Sequence, residues 1–129
     1  MRLLLDSHSF LWFIAGHQNL SEKAKAMILD PGNEVPVSIA SLWEIAIKHG
    51  LGKLALAQPY DQLIPEQMER NEFEMLPIEV PHLGELVKLP PSDHRDPFDR
   101  IVIAQAIGED LTVVTNDAAF AEYPVKVAW

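Results

Sequence analysis

The stretch 93–117, DHRDPFDRIVIAQAIGEDLTVVTND, decides the fold. It predicts a turn, a helix over 97–107 opened by Asp96-Pro97-Phe98-Asp99, a short connection, and a buried strand over 111–115 that runs into Asn116-Asp117. The helix is apolar nearly all round (Ile101, Val102, Ile103, Ala104, Ala106, Ile107), and a helix of that pattern is buried. Carboxylates stand at the mouth of the helix and at the carboxyl end of the strand. In an open α/β sheet, sites form at that edge.

Upstream, residues 2–5 form a short apolar run ending in Asp6, which reads as a buried first strand. A helix over 7–15 stops near Gly16, and Ser21 caps a second one with apolar positions at Ala24, Met27 and Ile28. Asp30-Pro31-Gly32-Asn33 is turn chemistry. A strand over 34–38 follows, in which Pro36 calls for an edge position or a place at the strand's first residue. Residues 39–49 read as a helix closed by Gly50. Over 58–70 the composition is helical, but Pro59 and Pro65 limit it to two short pieces or a start at Pro65. A strand over 75–78, a helix over 80–89 ended by Pro90-Pro91, and a last strand over 125–128 complete the chain. Alternating strands and helices predict an α/β fold with a mostly parallel sheet, and right-handed crossovers place helices on both faces.

The chain has 129 residues, read as a single domain over 1–129, long enough to bury roughly two-thirds of its unfolded surface. Apolar residues make up 48% and charged residues 22%, the mixture of a soluble globular protein. No apolar run is long enough to cross a bilayer, and Asp6 and His8 interrupt the apolar amino terminus where a signal peptide would be continuous. A cytoplasmic protein without a membrane partner is expected. The absence of cysteine excludes a disulfide framework and thiolate metal sites. The net charge of −9 opposes contact with nucleic acid unless metal ions or clustered Lys and Arg offset it locally.

The acids each have a structural and a functional reading. Asp6 projects from the end of a buried strand but also precedes a helix it can cap. Asp96 is placed as an N-cap with Pro97 at the first helical position. Asp99 lies one turn into a buried helix and needs a partner. Asp117 ends a strand beside Thr115 and Asn116, short polar groups suited to holding a water or a metal ligand, yet it can also cap a turn through Ala118 to Glu122. For Glu44, in mid-helix, no cap applies. Ser41, Glu44 and Lys48 form one polar stripe among Ile39, Leu42, Trp43, Ile45, Ala46 and Ile47. That stripe is either an exposed Glu-Lys pair at i, i+4 or the wall of a polar cleft, with Glu44 as ligand and Lys48 on phosphate. With the first strand central and the strand over 111–115 beside it, Asp6 and Asp117 become neighbours. Carboxylates about 4 Å apart repel by roughly 4 kcal/mol at an effective dielectric near 20, so such a cluster needs a cation or retained protons. Oxygen ligands with open water positions suit Mg²⁺ or Mn²⁺. His8, His17, His49, His82 and His94 show no zinc spacing, although His8 and His94 fall near the acidic edge. Trp12, Trp43 and Trp129 read as core or subunit-interface residues.

LLLDSHSFLW, SIASLWEIAIKHGLGKL, HRDPFDRIVIAQA, LTVVTNDAAF and YPVKVAW, in that order, resemble the PIN-domain ribonucleases, specifically the VapC-like toxins of toxin–antitoxin modules. The resemblance implies a three-layer α/β/α PIN-like domain with a sheet of about five strands. It implies Asp6, Glu44, Asp99 and Asp117 as the catalytic acids around Mg²⁺ or Mn²⁺, with Asp6 and Asp99 as direct ligands and Glu44 and Asp117 direct or through water. Asp96, Thr115 and Asn116 then support or cap. The implied activity is cleavage of RNA by a metal-activated water. The implied partners are a homodimer mate and a small antitoxin whose tail places a basic side chain among the acids. Lys48, Lys53, Arg95 and Arg100 are the cations expected to meet RNA.

One other enzyme class and one signalling domain fit less well. A haloacid-dehalogenase-type phosphatase wants a second Asp two residues after the first, where this chain has His8. A receiver-like domain wants an acidic pair after the first strand and an Asp ending the third. The alternative of a different class is a PIN-like protein-binding module without catalysis, whose sequence sign would be a missing acid.

Overall fold

The computed structural model describes residues 1–93 and 96–129. His94 and Arg95 lie outside the described residues, and with them the rim position read for Arg95. The strands are β1 (Leu3–Leu5), β2 (Pro36–Ser38), β3 (Glu74–Leu76), β4 (Thr112–Val114) and β5 (Lys126–Ala128). The helices are α1 (Ser7–Ala15), α2 (Glu22–Leu29), α3 (Ile39–Gly50), α4 (Tyr60–Arg70), α5 (Val80–Lys88) and α6 (Pro97–Glu109), and a 3₁₀ turn spans Ala118–Glu122. The sheet runs β3-β2-β1-β4-β5 with every pair parallel, so β1 is central and β4 is its neighbour.

Side chains of β1 alternate between two cores. Leu3 and Leu5 pack with Phe10, Ala24, Ile28, Ile45 and Ile64 on one face, while Leu4 packs with Ala40, Ile103, Ala104, Val113 and Phe120 on the other. Three layers follow from that alternation, as the resemblance implied. Helix α6 is buried continuously from Ile101 to Ala106. It meets the sheet on one side and α5 on the other, which accounts for a sequence with no polar face. It also runs two residues past the expected end, through Gly108 and Glu109, and stops at Asp110 in the left-handed conformation.

Two expectations need correction. Tyr60–Arg70 is one helix, not two pieces and not a start at Pro65. Pro65 is exposed, as is Asp61, whose carbonyl loses its helical partner to the ring. Water can take that carbonyl, while Leu63, Ile64 and Gln67 are buried on both sides of the proline and Ile64 joins the core of Leu3 and Leu5. The third strand covers Glu74–Leu76 rather than 75–78, since Pro77 cannot extend the ladder. Pro36 stands at the first residue of β2, one of the two placements expected, and β2 is an inner strand.

Candidate active site

The register sets the site. Leu5 pairs with Val37 on one side and Val114 on the other, so Asp6, Ser38 and Thr115 follow one another across the carboxyl edge of the sheet. Asp6 is only 6% exposed and takes the capping role read for it. Its Oδ1 accepts from the Ser9 backbone N–H at 2.8 Å and so caps α1, while Oδ2 accepts from the Thr115 hydroxyl at 2.6 Å. Thr115 in turn accepts from the Asp117 backbone N–H at 3.0 Å, tying the end of β4 to the end of β1. Replacing Thr115 by valine is expected to cost about 1.5–3 kcal/mol, the worth of a hydrogen bond to a charged group, read as a lower midpoint in urea unfolding.

Glu44 is 5% exposed and projects from the middle of α3. Its Oε1 accepts from Ser7 Oγ at 2.6 Å, and Oε2 faces Lys48 Nζ at 2.8 Å. The i, i+4 pair expected from sequence therefore exists, but it stands in the wall of a cleft. Its acid is buried and only its lysine reaches solvent. Hydrogen bonding to Glu44 raises the Lys48 pKa; burial opposes this, and the charges of Glu44, Asp96 and Asp99 add to it. The same ammonium thus feels acids from both α3 and the mouth of α6. Ser41, on the same stripe of α3, is fully buried and its hydroxyl finds no hydrogen-bond partner among the described residues.

Asp96 caps α6, accepting from the backbone N–H of Phe98 at 2.9 Å and of Asp99 at 3.1 Å. Asp99 lies half-buried in the first turn behind it. Asp117 is exposed and caps the 3₁₀ turn through the Ala119 N–H at 2.9 Å, and Asn116 beside it is exposed too. Among the described residues no three acidic or histidine side chains converge on one point.

The expected cations divide. Lys48 and Lys53 line a hollow of about 280 Å³ together with Ser7, His8 and Glu44. Arg100 does not line it: its guanidinium donates to the Tyr123 hydroxyl at 3.0 Å and lies 5.6 Å from the centroid of that ring. Ser7 was missed in the sequence, and its only signal was its place directly after Asp6 at the start of a helix. Of the two places read for Trp43, core or subunit interface, the first is excluded. Trp43 is 56% exposed, its ring set edge-on to Phe98 at 5.1 Å, and so is no part of the core. Trp12 and Trp129 meet edge to face at 6.0 Å and pack half-buried against the first core.

This architecture has relatives. A PIN domain is recognised across residues 3–126. The chain belongs to the PIN-domain family. Over 115 residues this PIN domain is 30% identical to Ribonuclease VapC22 of Mycobacterium tuberculosis, covering 89% of this chain and 86% of that protein. With Ribonuclease VapC16 of the same organism the identity is 35% over 60 residues, which take in 46% of this chain and 43% of that protein. Among solved structures, the fold matches VapBC2 of Rickettsia felis bound to a promoter DNA fragment, with a TM-score of 0.74, 18% identity and coverage of 99% and 98% of the two chains. DNA-bound VapBC of Salmonella typhimurium matches with a TM-score of 0.69 at 18% identity, over 99% of this PIN domain and 97% of that chain.

The residues of the edge fit a hard divalent cation in chemistry. Every candidate charged ligand is a carboxylate, and Asp6 and Glu44 are held nearly out of water. A cation already stands at Glu44, in the form of the Lys48 ammonium.

Proposed function

We propose that this PIN domain is a Mg²⁺- or Mn²⁺-dependent endoribonuclease and the toxin of a toxin–antitoxin module. The observation that carries the reading is the pair of buried carboxylates, Asp6 and Glu44, at the carboxyl edge of the inner strands. Burying two acids on one edge is a stability fault unless positive charge is expected there. The relatives named as ribonucleases supply the reaction class.

In this reading Asp6 and Asp99 hold the ion directly, and Glu44 and Asp117 hold it directly or through water. A divalent ion held there would supply an acidified water and offset charge building on the phosphate. The chain does the rest. The Ser9 N–H and Thr115 hydroxyl fix the orientation of Asp6, and Ser7 fixes that of Glu44. Asp96 holds the first turn of α6 and thereby sets Asp99. Lys48 and Lys53 bring positive charge to the hollow beside the acids, where an RNA phosphate meets it. That local charge answers the net charge of −9.

An antitoxin is the natural protein partner, as the VapBC structures of similar fold are toxin–antitoxin assemblies, and an acidic cleft suits a basic tail. The protein is read as cytoplasmic; among the described residues no helix is long and apolar enough to cross a membrane. It is read as a homodimer, because Trp43, Ile47 and Leu51 leave an apolar stripe exposed along α3. On light scattering behind size exclusion, Trp43→Glu is expected to halve the mass of the wild-type particle. An unchanged mass would place the interface elsewhere.

The activity is tested in cells by mapping new RNA 5′ ends after controlled expression, beside Asp6→Asn. New ends at one or a few RNAs, absent from the control, are expected. Identical maps would leave the binding-module reading in its place.

A further inference from the structure

Lys48 was read from sequence as a phosphate contact, but the structure gives it a prior engagement. Its Nζ lies 2.8 Å from Glu44 Oε2, and the other oxygen of that carboxylate is taken by Ser7 Oγ at 2.6 Å. Both Glu44 oxygens are thus occupied in a side chain only 5% exposed. The two sides of the edge differ here. Among the described residues Asp6 accepts from neutral donors, Ser9 and Thr115, so its remaining lone pairs face no positive charge from those partners. Glu44 faces a full one. A divalent cation bound to Oε2 at about 2.1 Å would stand within about 5 Å of the ammonium and be repelled by it.

Resting on the metal-dependent reading above, we propose that Lys48 is the protein's own counterion for the metal-free site, and that a divalent cation binds by displacing the Lys48 ammonium from Glu44. The reach for this exchange is present. The Lys48 side chain is 43% exposed on a flexible stem, and it borders the hollow it shares with Ser7, His8 and Lys53, so water already reaches it where Glu44 holds it. The charges of Asp96 and Asp99 reach the same ammonium, so the displaced and the displacing cation answer to the same acids. The buried carboxylate is compensated before metal arrives.

The test is Mn²⁺ binding to the full chain, followed by electron paramagnetic resonance of the free ion and independent of RNA cleavage. Lys48→Met is expected to bind Mn²⁺ about tenfold more tightly than wild type. Lys48→Arg, which keeps the charge, is expected to bind no more tightly than wild type. In the Glu44→Gln background, Lys48→Met is expected to bring no gain. Equal or weaker binding by Lys48→Met overturns the proposal, as does a gain that persists without the Glu44 charge. Should Lys48→Met fail to fold, nitrogen resonances of the lysine side chains in wild type decide. The Lys48 signal is expected to move to the position of a solvent-exposed lysine on Mg²⁺ saturation, and an unmoved signal overturns the proposal. A wild-type protein that cleaves RNA with metal while Lys48→Met leaves affinity unchanged sinks this inference alone. Metal binding without any cleavage sinks the ribonuclease reading instead.

Discussion

Asp6→Asn is expected to reduce RNA cleavage by about a thousandfold, the effect of losing several kcal/mol of metal-derived stabilisation from the transition state. The change removes one charge and almost nothing else. Asparagine caps helices as well as aspartate does, so its Oδ1 can keep the Ser9 N–H and the start of α1. The Thr115 hydroxyl, which donates to Asp6 now, can rotate to accept from the new amide. Unfolding free energy should therefore stay within about 1 kcal/mol of wild type, the scale of a single neutral hydrogen bond. Steady-state cleavage of a fluorogenic RNA, paired with thermal melts, separates the two quantities. An inactive variant with a wild-type melt is the expected result. Full activity would remove Asp6 from the site.

Phe10→Ala is expected to have the largest effect on stability, a loss of about 3–5 kcal/mol. Phe10 is fully buried in α1 and packs on the β1 face that carries Leu3 and Leu5, with its ring 6.1 Å from that of Phe73. Native domains are held by only about 5–15 kcal/mol, so this one change uses a large share of the total. A thermal midpoint lower by about 10–20 °C is expected in a chain of this size. Because α1 starts at Asp6, the loss should also loosen the cap that orients that carboxylate. A melt within a few degrees of wild type would show that this core is not the one that holds α1 to the sheet.

The parts legible in the sequence were those written in local patterns. Three leucines before Asp6 marked a strand with both faces buried, and the run from Ile101 to Ala106 marked a helix covered on all sides. Asp-Pro-x-Asp marked a capped start, and that cap forms. The parts not legible depend on where a residue sits in the assembled layers. Pro65 was read as a break because its exposure, which lets the orphaned Asp61 carbonyl reach water, is a tertiary fact. For Trp43 the apolar neighbours in sequence left core and subunit interface both open, and only the assembled layers show that this side of α3 does not face the core. The Ser7–Glu44 hydrogen bond joins residues 37 apart and left no local signal. Arg100 is read as a cation for RNA, and its hydrogen bond to Tyr123, 23 residues on, left no local signal. Glu44 and Lys48 were visible as a pair, but their burial was not, and burial is what turns a surface ion pair into a candidate site.

The most direct test of metal-dependent RNA cleavage is a single chelation experiment on the purified protein. Cleavage of RNA should be lost when divalent ions are removed with EDTA and should return with excess Mg²⁺ or Mn²⁺, with no recovery in Asp6→Asn. Cleavage that continues unchanged after chelation, or that Mg²⁺ restores equally in Asp6→Asn, would contradict the account.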